Sequence, residues 1–200
     1  MKKHFIILAA GLIGMTVITT SCKKKTTNDT TPTPTPTPTL YSRVGGNTMV
    51  SDPANSGTSI EKGRLTLRSV TDSSIYVIAA DTQMTKYFPT LLGEVGAGNT
   101  TGFSALSKNF TDFLCVATGS TDYTYTGKTM TAAHNHATNS RMGDGTNVNS
   151  MKANSADFDK FVGDIGTGLA KNGVTSSNNA SLVNDLVALL NTTKSSVVQR

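Results

Sequence analysis

Apolar residues recur at intervals of three and four along most of the chain after residue 60, which is the spacing of one buried helix face. The clearest stretch covers 102–118 and is followed by Gly119, a natural helix stop. A second stretch begins at Ser155 and ends before Gly173, and a third covers about 180–191. A fourth covers about 61–80, where a hairpin over 64–70 is the alternative. No strand–helix alternation is present, so the pattern predicts an all-α fold class.

The first 39 residues have a composition that no packed core could use. Lys2 and Lys3 precede an apolar run of 14 residues over 5–18. This run suits a signal peptide and falls short of the roughly 20 residues that span a bilayer. It ends at Thr19-Thr20-Ser21-Cys22, which resembles the lipobox of bacterial lipoproteins. We expect an export signal over 1–21 and lipidation of Cys22, with ordinary cleavage nearby as the alternative.

Residues 22–39 are expected to form a lipidated anchor and a stalk. Lysines 23–25 suit a surface of anionic headgroups. Prolines alternate with threonines over 31–39, which favours polyproline II and a semi-rigid spacer of roughly 40 Å. The folded domain is then 40–200. We expect an exported bacterial lipoprotein on the periplasmic side of the outer membrane, because Lys23 rather than Asp follows Cys22, or at the cell surface.

Charge and cysteine usage exclude several classes of protein. The formal charge is +5, but five lysines lie within the first 25 residues, so the domain is nearly neutral and lacks the basic surface of a nucleic-acid binder. With 2 cysteines the chain is no disulfide scaffold. Cys115 fits a helix face as a small buried residue, and a bridge from it to Cys22 is not expected.

Candidate metal-binding residues are few. The domain has two histidines, His134 and His136, and no dense carboxylate cluster. Met130 lies four residues before His134, so the two share a helical face, and a short helix could present this imidazole to one metal centre. The alternative is a hydrogen-bonded structural histidine. The glycines of 93–98 lack the lysine of a phosphate-binding loop and predict a connection between helices.

Five short motifs occur in one order along the domain. They are Tyr41-Ser42-Arg43-Val44-Gly45-Gly46, Ala80-Asp81 followed by Phe88, the helix over 103–118, Tyr125-Thr126-Gly127 with Met130 and His134, and finally the helix that begins near Asp157 and ends near Gly173. Together they cover about 40–195. In this order they resemble the truncated haemoglobins, of the bacterial group 1 type.

The resemblance implies a 2-over-2 helical sandwich around haem b, with His134 as the axial iron ligand. It implies that Phe88 packs on the macrocycle, that Met130 contacts it one turn before the ligand, and that the distal face is lined by Leu106, Phe110 and Leu114. The usual distal tyrosine aligns with Ile75, while Tyr76 follows one position later. Either Tyr76 points to the iron or that side of the pocket is apolar.

The function implied is an exported, membrane-anchored haem protein that binds dioxygen, nitric oxide or another diatomic ligand. Oxidation of nitric oxide and peroxidase-like chemistry are alternatives that would need an electron donor, which the sequence does not identify. A copper-binding lipoprotein is another alternative, since imidazole and thioether groups occur at His134, His136, Met130, Met142 and Met151. A third is a globin-like interaction module that has lost its cofactor.

Overall fold

The computed structural model describes residues 37–135, 137–139, 141–142 and 152–200. The expected signal peptide over 1–21, Cys22, most of the stalk and His136 lie outside the described residues. The elements, in chain order, are α1 (Leu40–Arg43), β1 (Met49–Ser51), β2 (Ser59–Glu61), α2 (Lys62–Ala80), a 3-10 turn (Thr85–Tyr87), α3 (Pro89–Gly96), α4 (Thr101–Ala117), α5 (Met130–Ala133), α6 (Ser155–Lys171), α7 (Ser176–Asn191) and α8 (Lys194–Val197).

The described part of the chain is mostly helical, as the predicted all-α class requires. Helix α6 begins with a capping box, in which the Asn154 side chain accepts from the backbone of Asp157 and the Asp157 side chain accepts from the backbone of Asn154. The start of α7 is interrupted, because Asn179 has non-helical backbone angles (φ −153°, ψ 57°), and the Asn179 side chain accepts from the Leu182 N–H at 3.4 Å. In both helices a side chain thus accepts from a backbone N–H group that the helix start leaves without a partner, which favours a start at Ser155 for α6 and near residue 180 for the regular part of α7.

Two local predictions need correction. The hairpin alternative over 64–70 is wrong, because these residues form the first half of α2. A hairpin does occur just before it, where β1 and β2 pair antiparallel with Val50 opposite Ile60. The connection expected over 93–98 is partly helical as well, because α3 extends to Gly96 and begins with Pro89 at a first-turn position that tolerates its missing N–H.

Helix α2 forms the centre of the fold and packs against both α4 and α6. The α2–α6 crossing is close at Gly168, where a Cβ atom would collide with Ser74 Oγ and lie 3.0 Å from Ser74 Cα. Helices α6 and α7 also pack together. The buried core between these helices comprises Tyr41, Leu67, Val70, Ile78, Met84, Tyr87, Leu114, Cys115, Ile165, Leu169, Leu186 and Leu190.

A buried polar cluster joins the hairpin to α2 and α4. Tyr41 Oη donates to Glu61 Oε2 at 2.5 Å, and Arg64 Nη2 lies 2.6 Å from Asp112 Oδ1. The Arg64 guanidinium also lies over the Tyr123 ring, 4.4 Å from its centroid. Paired in this way, the buried charges avoid the large cost of desolvation without a partner. Cys115 lies beside this cluster as a fully buried free thiol, as predicted.

Among the described residues, no helix is both long and apolar enough to cross a membrane.

Candidate functional site

A largely apolar cavity of about 300 Å³ lies beside α5 and is lined by residues from segments between α2 and α8. Its size lies at the lower end of the roughly 300–1,000 Å³ of small-molecule sites. Most of its lining is apolar, namely Ile75, Ile78, Ala79, Phe88, Leu91, Leu92, Ala105, Leu106, Phe110, Phe113, Met130, Ala133, Met142, Phe161, Leu190 and Val197. A ligand that fills this space must therefore present a mainly apolar surface.

Six of the eight residues predicted for the haem site line this one cavity. They are Ile75, Phe88, Leu106, Phe110, Met130 and His134. They come from α2, the turn before α3, α4, α5 and the residue that ends α5, so only the tertiary fold brings them together. The Phe110 ring is further held by Phe161 of α6, with 6.0 Å between ring centroids.

The other two predicted residues lie elsewhere. Leu114 is 0% exposed and belongs to the core, and Phe113, one position earlier on α4, lines the cavity instead. Tyr76 is 66% exposed, and its ring packs on Phe103 at 5.4 Å between centroids. Of the two distal candidates, Ile75 lines the cavity and Tyr76 does not, because consecutive helix residues point about 100° apart.

His134 places an imidazole ring in the cavity wall. Its Nδ1 lies 2.8 Å from the carbonyl oxygen of Met130, one turn earlier. A carbonyl only accepts hydrogen bonds, so Nδ1 must carry the proton, and the neutral ring keeps its lone pair on Nε2. Burial lowers the pKa of His134, and the Met130 carbonyl opposes this only in part. The ring is thus favoured in its neutral form, which is the form that binds metals.

The segment before α5 is held by Tyr125 and Gly127. Tyr125 Oη donates to the Lys128 carbonyl at 2.5 Å, and its ring meets the Phe113 ring edge-on at 6.1 Å. A Cβ atom at Gly127 would lie 2.5 Å from Tyr125 Oη, so any larger residue there would displace the Tyr125 ring. The Thr129 side chain then accepts from the Ala132 N–H and caps α5.

The rest of the cavity lining includes two cationic residues. Lys128 and Arg141 both line the cavity and are exposed. Arg141 Nε lies 3.2 Å from Glu94 Oε1 on α3. These cations are suited to carboxylates at the edge of an otherwise apolar ligand.

A conventional metal site built from several side chains is absent within the ranges that the structure describes: no group of three or more His, Cys, Asp or Glu residues is placed to hold an ion. Of the copper candidates, His134, Met130 and Met142 line the cavity, while His136 and Met151 lie outside the described residues.

Sequence reasoning did not single out several lining residues. Phe113 and Tyr125 lie in segments that the sequence pattern does mark, on the apolar stripe of α4 and in the motif before Met130. Thr193 and Val197 carry no such signal, because the four-residue helix α8 is too short to set up a period.

No protein-family model matches this chain, and no curated protein sequence matches it.

Proposed function

We propose that residues 40–200 form a haem-binding domain of the truncated-globin type, which binds dioxygen, nitric oxide or another small diatomic ligand. The observation that carries this proposal is the state of His134. It is a half-buried imidazole whose Nδ1 bonds to the Met130 carbonyl and whose neutral form keeps a lone pair on Nε2, in the wall of a largely apolar cavity. A single imidazole of this kind suits an iron that a macrocycle already holds through its other ligands.

The lining residues fit a flat, mostly apolar group with acidic substituents. Met130, Phe88 and Phe110 would contact its faces and edge, and the Met130 thioether adapts to an irregular surface. Lys128 and Arg141 would pair with carboxylates at the rim. The bound group would supply an iron site for a diatomic ligand, and the chain would supply the axial imidazole and exclusion of water.

The arrangement of the helices also supports a 2-over-2 sandwich. Helix α2 packs on α4, α6 packs on α7, and α2 packs on α6. The contact between α2 and α6 links the pair α2–α4 to the pair α6–α7, and α5, which precedes His134, packs against α8. In a sandwich of two such pairs, each helix buries its apolar stripe between the two layers.

The identity of residue 75 bears on which ligand is favoured. Ile75 has no hydrogen-bond donor, and the exposed Tyr76 is directed away from the cavity, towards Phe103. Without a side-chain donor at position 75, this side of the pocket does not polarise a bound ligand, which favours simple binding over peroxidase-like chemistry. Oxidation of nitric oxide is the enzymatic alternative and would require an electron donor.

The N-terminal segment supports export of this domain. A signal peptide over 1–21, lipidation at Cys22 and a proline-alternating stalk would hold it beside a membrane, on the periplasmic side of the outer membrane or at the cell surface. Its partners would then be the membrane, through the lipid, and a small gas, with no role for nucleic acid.

The test is a haem titration of the purified protein, recorded as absorption spectra beside the His134→Ala and His136→Ala variants. We expect a sharp Soret band at one haem per chain in the wild-type protein and in His136→Ala, and its loss or shift in His134→Ala. The ferric spectrum will report one or two axial ligands. Haem that stays unbound in the wild-type protein refutes the proposal.

Copper binding is a second candidate, because His134, Met130 and Met142 line the same cavity and a thioether–imidazole set suits Cu(I). It predicts that Met142→Leu abolishes Cu(I) binding, whereas a haem site would tolerate that substitution.

A further inference from the structure

Helix α5 has four residues, too few to be stable alone, so contacts outside the helix must hold His134 in place. Three side chains bond to its last backbone carbonyls in turn. Thr138 Oγ1 donates to the Ala132 carbonyl at 2.7 Å, Asn139 Nδ2 donates to the Ala133 carbonyl at 2.8 Å, and Gln199 Nε2 donates to the His134 carbonyl at 2.7 Å. Each replaces a bond that the next turn of a longer helix would have made.

The Gln199 contact differs from the other two because it comes from a distant part of the chain. Thr138 and Asn139 lie within six residues of the carbonyls that they cap, whereas Gln199 lies 65 residues from His134. It alone among these three ties the histidine to the helices at the end of the chain.

Gln199 is in turn held by the core. Its backbone N–H donates to the Ala153 carbonyl at 2.8 Å, just before α6. Helix α8, which precedes it, packs against both α5 and α6. Lys194 of α8 lies 2.5 Å from Asp159 on α6, and its ammonium group lies 5.5 Å from the centre of the Phe158 ring. A continuous set of contacts therefore runs from α6 through α8 to the backbone of His134.

We propose that Gln199 is a positioning residue for His134, which acts through the hydrogen bond from its side-chain amide to the His134 carbonyl. The inference rests on the proposed function, because the position of His134 matters for haem binding only if its Nε2 atom faces the cavity. Without this donor, the last turn of α5 loses its link to α8. The hydrogen bond between His134 Nδ1 and the Met130 carbonyl selects the tautomer, and it then depends on a helical turn whose position is no longer fixed. Outer partners of metal ligands affect metal affinity by about 10- to 100-fold.

Two substitutions distinguish the effect of the N–H donor of Gln199 from the effect of the size of its side chain. Gln199→Met keeps a similar length and shape and removes the N–H donor, whereas Gln199→Lys restores a donor on a long side chain. The control is Asn172→Leu, since Asn172 also donates a side-chain bond, to Ser73 Oγ at 3.0 Å, and lies at the opposite end of α6 from Ala153.

The first readout uses the haem-free full chain. The ¹⁵N shifts of the His134 ring report the fraction of the Nδ1–H tautomer, and exchange of its backbone amide reports opening of α5. We expect Gln199→Met to lower the Nδ1–H fraction and to speed this exchange. We expect Gln199→Lys and Asn172→Leu to match the wild-type protein. This readout decides the role of Gln199 even where the wild-type chain binds no haem.

The second readout uses the haem-loaded chain. Transfer of haem to an excess of an acceptor apoprotein should be about 10-fold faster in Gln199→Met. The iron–histidine stretching band should shift in Gln199→Met and return in Gln199→Lys. An unchanged tautomer fraction and an unchanged haem-loss rate in Gln199→Met overturn the proposal. So does a loss of helicity that Gln199→Lys shares, because the effect is then one of general stability.

Discussion

The close crossing of α2 and α6 predicts that Gly168, unlike the other two glycines of α6, cannot be replaced by alanine without a loss of stability. A methyl group added at Gly168 would collide with Ser74 Oγ and lie 3.0 Å from Ser74 Cα. The hydroxyl cannot move freely, because it donates to the Val70 carbonyl at 2.7 Å. At Gly163 and Gly166, an added methyl group meets nothing within 4 Å.

The magnitudes follow from this geometry. Replacing glycine by alanine inside a helix stabilises by about 0.5–1 kcal/mol, which we expect for Gly163→Ala and Gly166→Ala. At position 168 that gain is opposed by overpacking, about 1–3 kcal/mol, and by the buried Ser74 hydroxyl losing its acceptor, about 1–3 kcal/mol. The net expectation for Gly168→Ala is a loss of about 3 kcal/mol.

The assay is urea unfolding followed by circular dichroism, with all three variants compared at one temperature. A loss of about 3 kcal/mol corresponds to a melting temperature lower by about 6–12 °C for a domain of this size. Combining Gly168→Ala with Ser74→Ala should recover part of the loss, since the second substitution removes the hydroxyl oxygen but leaves the Ser74 backbone close to the added methyl group. If Gly168→Ala is as stable as Gly163→Ala, the two helices do not cross as closely as described.

Three further predictions concern single titratable groups. Burial lowers the pKa of His134 below its ordinary 6.5, so the unfolded chain binds a proton that the folded haem-free chain does not. The free energy of unfolding should thus fall as pH falls through 6.5, and His134→Gln should flatten that slope in pH-dependent urea titrations. Burial raises the pKa of Asp157, but hydrogen bonds from Tyr87, Asn154 and Lys86 outweigh it and hold this pKa well below its usual 3.8. Stability should therefore be lost as pH falls below 3.8, and Asp157→Asn should cost about 1.5–3 kcal/mol at about pH 7, measured by the same unfolding curves; equal stability of the variant would contradict the role of these bonds. Burial raises the pKa of Cys115 to about 11, so in a Cys22→Ser background a thiol reagent at about pH 8 should label Cys115 only after unfolding, and rapid labelling of the native protein would contradict its burial.

The long helices could be predicted from the sequence because their stripes extend over several turns. The 17-residue helix α4 and the capped start of α6 at Ser155 agree with the pattern to within about one residue. Helix α3 was missed because its eight residues include two glycines and too few turns to show a period. The β1–β2 pair was missed because each strand has three residues, which is too short for an alternation to stand out.

Site residues that belong to a sequence motif could be predicted from the sequence. Site residues that are marked only by lying on the apolar face of a helix were predicted less well. The spacing of Met130 and His134 marked the histidine and its hydrogen-bond partner as neighbours. The stripe of α4 predicted that one face is buried but could not tell which residues face the cavity and which face the core, so Leu114 was expected where Phe113 lies. The contact of Gln199 with His134 had no local signal, since it depends on where the end of the chain returns.

The walls of the cavity come from residues as far apart as Ile75 and Val197, so the protein can acquire a ligand only once the whole domain has assembled. No single element supplies the whole pocket, and the segment that carries His134 packs against α8, near the end of the chain. Contacts over such separations form late in folding, once loop closure has brought distant segments together. Ligand capture should therefore be all-or-none, and a bound ligand would stabilise the whole domain rather than one region of it.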